Sequence, residues 1–190
     1  NKSSASCFDY SQQEPRLVVH FAATTEPISY DQSVKDIVEK FKDNAVDFHQ
    51  TVADMANISR TQAKTINLGL FYGMGKTKLQ AELGLNTKQE AEDLFNQYHE
   101  SVPFVRDLMN FTSRRAQTGS IGTLLGRRCR FNKWEPNQFG MHKPMELEEA
   151  ERTYGRGRIR RAFTYKALNK LIQGSAADMT KKAMVDLYKE

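Results

Sequence analysis

Apolar residues recur every three or four positions along most of this chain, which is the spacing of one face of an α-helix. In the clearest example, Val34, Ile37, Val38 and Phe41 share a face and predict a helix over residues 31–42. Equivalent patterns, bounded by Pro, Gly or good N-cap residues, predict a helix that starts near Glu14 and further helices over 47–57, 59–73, 78–84, 88–98, 102–117 and 160–190.

The β pattern is confined to a few short segments. Residues 118–131 are rich in Gly and β-prone side chains, and they predict a hairpin that turns at Gly126. A short strand is predicted to end near Asp9, and residues 132–158, with Trp134 among Pro and Gly residues, are predicted to be mostly loop. The predicted fold class is therefore α+β, mostly α.

Composition agrees with a globular segment that carries its own core. The chain has 190 residues, of which 39% are apolar and 27% charged. No run approaches the roughly 18–20 apolar residues of a membrane helix, so we expect no membrane partner. Cys7 and Cys129 cannot form a disulfide framework, which favours either a reducing compartment or cysteines without a redox role. The chain starts at Asn1 and ends within a helical pattern, so we expect it to be a piece of a longer protein.

The net charge of +5 is unevenly distributed along the chain. Residues 126–170 hold twelve Lys and Arg against five Glu, whereas the remainder of the chain is slightly acidic. Residues 152–170 contain no acid at all, and Arg predominates there. A basic patch on a nearly neutral body favours nucleic-acid binding, although charge alone is equally explained by a solvated loop or a face for an acidic partner.

One predicted helix carries an unusual stripe of side chains. Arg60, Lys64, Leu68 and Tyr72 follow one another at intervals of four, so they drift by only about 40° per step around the helix. Two cations, an apolar side chain and an aromatic ring in this order suit the phosphates, sugar and base of a nucleotide. Taken alone, the stripe is also explained by two cations that extend to solvent above two core residues.

A second pattern typical of phosphate binding lies at the end of this helix. Residues 73–77 read Gly-Met-Gly-Lys-Thr, which is similar to the end of a P-loop. The P-loop requires Gly at the position that Leu70 occupies, and it opens a helix, whereas these residues close one. The sequence therefore argues against a P-loop ATPase or kinase.

Four segments together resemble the motifs of family A DNA polymerases, the DNA polymerase I-like enzymes of bacteria and phages. Residues 60–73 resemble the fingers-helix motif, and residues 9–16, Asp-Tyr-Ser-Gln-Gln-Glu-Pro-Arg, resemble the first palm motif. Residues 124–128 resemble the Gly-Arg-Arg turn, and residues 169–178 resemble the palm helix that follows it. These motifs occur in the family's order and cover nearly the whole chain, with a leaning towards phage relatives.

The resemblance implies a fingers subdomain and part of a palm in a right-hand polymerase fold. Residues 1–24 would form a palm segment, 25–158 the fingers with the nucleotide-binding helix 60–73, and 159–190 the returning palm helix. The thumb, the exonuclease domain and the second palm carboxylate would be absent from this chain.

The resemblance also implies a reaction, which is the template-directed addition of deoxynucleotides to a primer 3′-hydroxyl during DNA replication or repair. Two Mg²⁺ ions would activate the hydroxyl and neutralise the phosphates, and Asp9 matches the first metal carboxylate. Arg60 and Lys64 match the catalytic cations on the triphosphate, and Lys64 also matches the donor of a proton to the leaving pyrophosphate.

Further residues match binding positions of the family. Glu14 matches the steric-gate glutamate that crowds a ribose 2′ position and bonds to the fingers tyrosine. The full set that the resemblance assigns to the deoxynucleoside triphosphate is Gln12, Glu14, His49, Arg60, Lys64, Leu68 and Tyr72. For primer-template DNA, the resemblance assigns Arg127 and Arg128 to the phosphates and assigns Asn169 and Gln173 to the minor groove.

This chain also departs from the family pattern. Leu68 stands where the family usually has Phe or Tyr, and Tyr165 stands where many relatives have a basic residue, so sugar discrimination and a template contact cannot be carried over. No His-Asp-Glu motif occurs, so we expect the isolated chain not to extend a primer. A non-catalytic nucleic-acid-binding module and a single-subunit RNA polymerase fragment remain the alternatives. The implied location is the cytoplasm of a bacterial or phage-infected cell.

Overall fold

The computed structural model describes residues 9–43, 45–74, 76–138 and 140–189, and all structural statements concern these ranges. The helices are α1 Gln13–Thr24, α2 Gln32–Lys40, α3 Phe48–Ala56, α4 Arg60–Phe71, α5 Lys76–Glu82, α6 Lys88–Ser101, α7 Pro103–Ala116, α8 Leu147–Tyr154 and α9 Ala167–Lys189. The strands are β1 Ser120–Gly122, β2 Arg128–Arg130, β3 Trp134–Pro136 and β4 Ile159–Arg161. None of these helices is both long and apolar enough to cross a lipid bilayer.

Most of the predicted elements are confirmed. Helices α1 to α7 lie where the apolar periodicity places them, with boundaries shifted by a few residues. The predicted hairpin is present as the antiparallel pair β1 and β2, with Ile121 opposite Cys129. The predicted strand that ends near Asp9 falls on residues 1–8, outside the described ranges.

The predictions for residues 132–158 and for the start of the last helix were wrong. The supposed loop contains β3 and α8, and β3 pairs antiparallel with β4, Trp134 opposite Arg161. Helix α8 has only eight residues and buries only Ala150, so its apolar pattern is too short to indicate a helix from the sequence. The last helix begins at Ala167 rather than 160, because β4 and a 3₁₀ turn, Thr164–Lys166, precede it.

The main core is formed by one side of each long helix. Its fully buried side chains come from α1 to α7 and from α9, and examples are Val18, Ile37, Phe48, Ile66, Tyr98, Phe104 and Ile172. Helix α9 packs against α1, α4 and α7. It therefore supports α4, the helix that carries the stripe Arg60, Lys64, Leu68 and Tyr72. Gly69 allows α4 to pack closely against α5, because a Cβ at that position would lie 2.7 Å from the Leu79 side chain.

A smaller apolar cluster attaches the β1–β2 hairpin to the helices. It consists of Ala116, Ile121, Phe131, Ala167 and Leu171, which come from α7, the hairpin and α9. The hairpin is therefore held against α9, and its basic turn lies beside the helix that the resemblance assigns to DNA.

Candidate functional site

Helix α4 presents the predicted stripe on its outer side. Ser59 caps the helix: its Oγ accepts a 3.2 Å bond from Gln62 N–H, and Gln62 Oε1 accepts a 3.0 Å bond from Ser59 N–H. This capping box fixes where the helix begins and hence which side chains face inward. Ala63, Ile66, Asn67, Gly69 and Phe71 are buried.

The four stripe residues lie on the opposite side. Arg60 and Lys64 are exposed, Leu68 is half-buried, and Tyr72 is 39% exposed. Among the described residues, Lys64 has no hydrogen-bond or ion-pair partner. The stripe therefore carries one uncommitted cation, one paired cation and an accessible apolar surface along a single helix.

Tyr72 joins the end of α4 to the first turn of α1. Its hydroxyl donates a 2.6 Å hydrogen bond to Glu14 Oε2, so the contact expected from the resemblance is present. This hydrogen bond, with burial and the negative charge of Glu14, raises the pKa of Tyr72 to about 12, although a hydrogen bond from Gln173 acts in the opposite direction. Glu14, Tyr72 and Gln173 therefore meet at one point, although they lie on α1, α4 and α9.

Arg60 is paired with an acid that sequence reasoning did not include in the site. Its Nη2 lies 2.6 Å from Asp47 Oδ2, while Asp47 Oδ1 accepts a 2.9 Å bond from Gln50 N–H at the start of α3. Burial opposes ionisation of this carboxyl, but the hydrogen bonds from Arg60 and Gln50 outweigh it, and the pKa of Asp47 is lowered. The pattern of an N-cap acid before a helix was visible in the sequence, but its partner was not.

His49 is oriented by a buried network. Asn67 Nδ2 lies 3.1 Å from His49 Nδ1, and the Tyr98 hydroxyl donates a 2.5 Å bond to Asn67 Oδ1. The amide of Asn67 therefore acts as donor to the imidazole, which leaves the proton of the neutral ring on Nε2. Burial, together with the charges of Arg60 and Lys64, lowers the pKa of His49 and favours this neutral form. Asn67 and Tyr98 were missed by sequence reasoning, because a fully buried polar pair 31 positions apart has no local signature.

Gln12 is engaged with the backbone before α3. Its Nε2 donates to Val46 O over 2.7 Å, and its Oε1 accepts from Phe48 N–H over 2.7 Å. Both ends of the amide are thus satisfied by protein. The residue holds the loop that carries Asp47 and His49 close to α1.

Asp9 precedes α1 in the chain. It is exposed at the described start of the chain and lines a cavity of about 520 Å³ together with Tyr10, Thr180 and Asp186. No group of three or more His, Cys, Asp and Glu side chains within the described ranges is arranged to hold a metal ion. An exposed carboxylate suits one ligand position of a hard cation that retains several waters, so Asp9 fits such a role as a single ligand.

Arg127 is committed to the packing of the hairpin turn. Its Nε donates to Asp178 Oδ1 over 2.8 Å and its Nη2 donates to Gly174 O over 3.0 Å. The Thr123 hydroxyl also donates to Asp178, over 2.6 Å, and these two hydrogen bonds lower the pKa of the Asp178 carboxyl. Asp178 is therefore the anchor of the turn, a role that sequence reasoning did not assign.

The other predicted DNA contacts are placed differently. Arg128 is exposed on β2, Gln173 is exposed on α9, and Asn169 is half-buried one turn before Gln173. The residues that the resemblance assigns to the nucleotide lie on α4 and at the starts of α1 and α3; they are Gln12, Glu14, His49, Arg60, Lys64, Leu68 and Tyr72. Of the residues assigned to DNA, Gln173 lies against Tyr72 and Asn169 lies one turn earlier on α9. Arg127 and Arg128 belong to the hairpin, and Asp9 precedes α1.

Comparisons with known proteins identify the family to which this sequence is similar. A sequence model of DNA polymerase family A matches residues 1–190. A DNA-directed DNA polymerase of Pseudomonas phage M6 is 34% identical across 93% of this chain and 29% of its own length. DNA polymerase I of Geobacillus stearothermophilus is 35% identical across 94% of this chain and 18% of its own length.

A solved structure gives the same result for the fold. The POL domain of Pol1 from M. smegmatis, in complex with DNA primer-template and dNTP, is 28% identical with a TM-score of 0.67. The match covers 95% of this chain and 28% of that one. The chain thus spans less than a third of the length of these relatives.

Proposed function

Because the chain belongs to DNA polymerase family A, we propose that it forms the nucleotide-binding part of a DNA-directed DNA polymerase. The observation that carries the proposal is the outer face of α4, where two cations lead to an aromatic ring held by Glu14. The stripe spans about 18 Å from Arg60 to Tyr72 at 1.5 Å per residue. That length lets it contact triphosphate, sugar and base in succession.

The two cations are assigned to the triphosphate. Lys64 offers an unpaired ammonium group, and Arg60 offers a planar fork suited to phosphate oxygens once it leaves Asp47. Charge accumulates on the α-phosphate and on pyrophosphate in the transition state, and positioned cations stabilise that charge. Lys64 is also assigned as the donor of the proton that passes to the leaving pyrophosphate.

The sugar and base are assigned to the other end of the stripe. Tyr72 holds Glu14 toward α4, and we assign the Glu14 carboxylate to the space beside the ribose 2′ position. This arrangement favours deoxyribonucleotides and argues against an RNA polymerase fragment. Leu68 offers a small apolar contact rather than a flat ring, so the sugar is held mainly by Glu14 and Tyr72.

His49 and Gln12 complete the nucleotide site in different ways. The neutral His49 ring carries its proton on Nε2, because Asn67 engages Nδ1. That N–H is assigned to a phosphate oxygen. Gln12 acts through the backbone at Val46 and Phe48, which positions the segment that carries His49.

Asp9 is assigned as one carboxylate ligand of Mg²⁺. When bound, two Mg²⁺ ions would lower the pKa of the primer hydroxyl and neutralise the leaving group. Asp9 contributes an exposed oxygen ligand at the described start of the chain. It has no further part in holding the nucleotide.

Primer-template DNA is assigned to the surface formed by α9 and the hairpin. Asn169 and Gln173 lie one turn apart on α9 and suit acceptors in the minor groove. Arg128 is available for a phosphate, and Arg127 supports the turn that presents it. In subdomain terms, residues 1–24 and 159–190 are assigned to the palm and residues 25–158 to the fingers.

A titration of the ¹⁵N-labelled chain with a deoxynucleoside triphosphate, followed by NMR, tests the nucleotide site. We expect shifts along α4, and Lys64→Ala should raise the dissociation constant by about 10-fold or more, because a hydrogen bond to a charged group is lost. Lys88→Ala is the control, since Lys88 is also exposed but lies on α6. Equal affinities of the two variants would contradict the proposal.

A further inference from the structure

The turn of the β1–β2 hairpin is bonded to one segment of α9. Arg127 Nε donates to Asp178 Oδ1 over 2.8 Å, and Arg127 Nη2 donates to Gly174 O over 3.0 Å. The Thr123 hydroxyl donates to Asp178 Oδ2 over 2.6 Å. We call these three hydrogen bonds the hairpin grip. Because the rigid guanidinium spans a carboxylate and a backbone carbonyl one helical turn apart, it fixes the rotation of this segment as well as its position.

Gly174 lets the hairpin approach α9 this closely. A Cβ at Gly174 would lie 2.9 Å from Thr123 Cγ2 and 3.1 Å from Arg127 Nη2, and both distances are shorter than ordinary contacts. Thr123 is buried and branched at Cβ, so it has little freedom to move aside. The close approach also lets Leu124 N–H donate to Ser175 Oγ over 3.0 Å. The hairpin and this segment of α9 are therefore held in one fixed relation.

Gln173 belongs to the same segment but faces the nucleotide site. It directly precedes Gly174, so its side chain projects about 100° further around the helix. Gln173 donates a hydrogen bond to the Tyr72 hydroxyl oxygen, and that hydroxyl donates in turn to Glu14 Oε2 over 2.6 Å. A hydroxyl that accepts a hydrogen bond becomes a stronger donor. Gln173 thus strengthens the hydrogen bond that orients the Glu14 carboxylate.

The position of Gln173 depends on the backbone of α9. Its side chain is exposed, so close packing does not hold it in place. Its distance from Tyr72 is therefore determined by where the helix backbone lies. The hairpin grip holds that backbone at the next carbonyl along the chain, which is Gly174 O.

We propose that the hairpin grip positions Gln173 against Tyr72 and thereby contributes to discrimination against ribonucleotides at Glu14. The inference rests on the proposed polymerase function, which supplies the triphosphate and the role of Glu14. It makes Arg127 a positioning residue for the nucleotide site, in addition to its support of the turn. The hairpin thus affects the choice of sugar without touching the nucleotide.

Gly174→Ala tests the proposal without removing a polar group. The added Cβ would collide with Thr123 Cγ2 and push the hairpin away from α9. In NMR titrations with both kinds of triphosphate, the ratio of the ribonucleotide to the deoxyribonucleotide dissociation constant should fall roughly 2- to 10-fold, the effect of one hydrogen bond. Alanine favours a helix more than glycine does, so weaker helix formation would not explain the fall. Gly157→Ala is the matched control, since a Cβ there would meet nothing within 4 Å.

Thr123→Ser should reverse the effect of the added methyl group. Serine keeps the hydroxyl that donates to Asp178 but lacks the Cγ2 atom that the new Cβ would meet. The remaining short contact is to Arg127 Nη2, at the end of a flexible side chain. The double variant Thr123→Ser/Gly174→Ala should therefore recover the ratio of the unmodified chain.

Arg127→Lys tests the grip at constant charge. A single ammonium group cannot reproduce the two directed hydrogen bonds to Asp178 and Gly174, so the ratio should again fall. Arg152→Lys is the control, since Arg152 is exposed on α8. Its replacement should leave the ratio unchanged.

A double-variant cycle identifies the residue through which the grip acts. In a Gln173→Ala background, Gly174→Ala should cause no further fall in the ratio, because the side chain that the grip positions is already missing. An equal further fall would overturn the proposal, since the hairpin would then act by another route. An unchanged ratio in Gly174→Ala alone, or a fall that Thr123→Ser does not reverse, would overturn it as well.

The proposed function is tested separately by Lys64→Ala. If Lys64→Ala weakens triphosphate binding while Gly174→Ala leaves the ratio unchanged, this inference alone is overturned. If Lys64→Ala leaves triphosphate affinity unchanged, the proposed function is wrong, and the inference that rests on it is overturned with it.

Discussion

The Tyr72 hydroxyl donates a 2.6 Å hydrogen bond to Glu14 Oε2 and so ties the end of α4 to the first turn of α1. The two residues lie 58 positions apart in the chain. Because the pKa of Tyr72 is raised to about 12, the hydroxyl remains a donor throughout the neutral range. Tyr72, which is assigned to the base, therefore orients the Glu14 carboxylate, which is assigned to exclude ribonucleotides.

We expect Tyr72→Phe to weaken discrimination between deoxyribonucleotides and ribonucleotides. The ring remains, but Glu14 loses the donor that orients it, so the ratio of the two dissociation constants should fall several-fold toward that of Glu14→Ala. NMR titration of each variant with both kinds of triphosphate measures this ratio. Tyr188→Phe, on an exposed residue at the far end of α9, is the control. A ratio unchanged in both Tyr72→Phe and Glu14→Ala would argue against the gate.

Asp47 is expected to compete with the triphosphate for Arg60. Asp47→Asn keeps an oxygen that can cap α3 but removes the charge opposite Arg60, so triphosphate affinity should increase by up to about 5-fold, the range of an exposed ion pair. The gain should shrink as salt is added. Asp54→Asn, which changes another exposed acid on α3, should have a smaller effect on affinity. Equal gains in the two variants would indicate a general charge effect instead.

Within the Tyr98–Asn67–His49 network, the effects of replacing Asn67 and Tyr98 on the free energy of unfolding should not be additive. Asn67→Leu leaves the buried Tyr98 hydroxyl without a partner and should lower the free energy of unfolding by about 1–3 kcal/mol. Adding Tyr98→Phe should recover part of that loss, because both polar partners are then removed. Chemical denaturation measures these changes, and Asn96→Leu on the exposed side of α6 is the control. A double variant as unstable as the sum of the two single variants would contradict the coupling.

Acid should weaken the attachment of the hairpin to α9. The pKa of Asp178 is lowered in the folded chain, so its contribution to stability is fully present above its ordinary value near 3.8 and is lost as the pH falls through the lower folded value. Asp178→Asn removes the ion pair with Arg127 and should reduce the melting temperature at pH 7 while flattening its decline below pH 4.

Asp186→Asn provides the matched control for this measurement. Asp186 lies on the same helix and pairs with Lys182, but both side chains are well exposed. Its replacement should change the melting temperature little, as is usual for surface pairs. If Asp186→Asn changed the melting temperature as much as Asp178→Asn at both neutral and acid pH, Asp178 would not be the anchor of the hairpin.

The parts that could be predicted from the sequence are those governed by nearby residues. Ser59 and Gln62 lie three positions apart and determine where α4 begins, and four-residue spacing places Arg60, Lys64 and Tyr72 on one side of it. The prediction failed over residues 132–158 because β3 depends on pairing with β4, whose residues lie some 25 positions away. Helix α8 escaped detection because it packs only Ala150 against the fold.

The sequence alone predicts helices α1 to α7, the hairpin at Gly126, the basic stretch and, through its motifs, the family resemblance. These follow from local hydrogen bonding, side-chain periodicity and residue identity. Only the folded chain shows that Arg60 meets Asp47, that Tyr98 orients His49 through Asn67, and that Arg127 is committed to Asp178. Each of these contacts joins residues from different elements. Their formation depends on how the apolar faces pack around a common core, which no local pattern encodes.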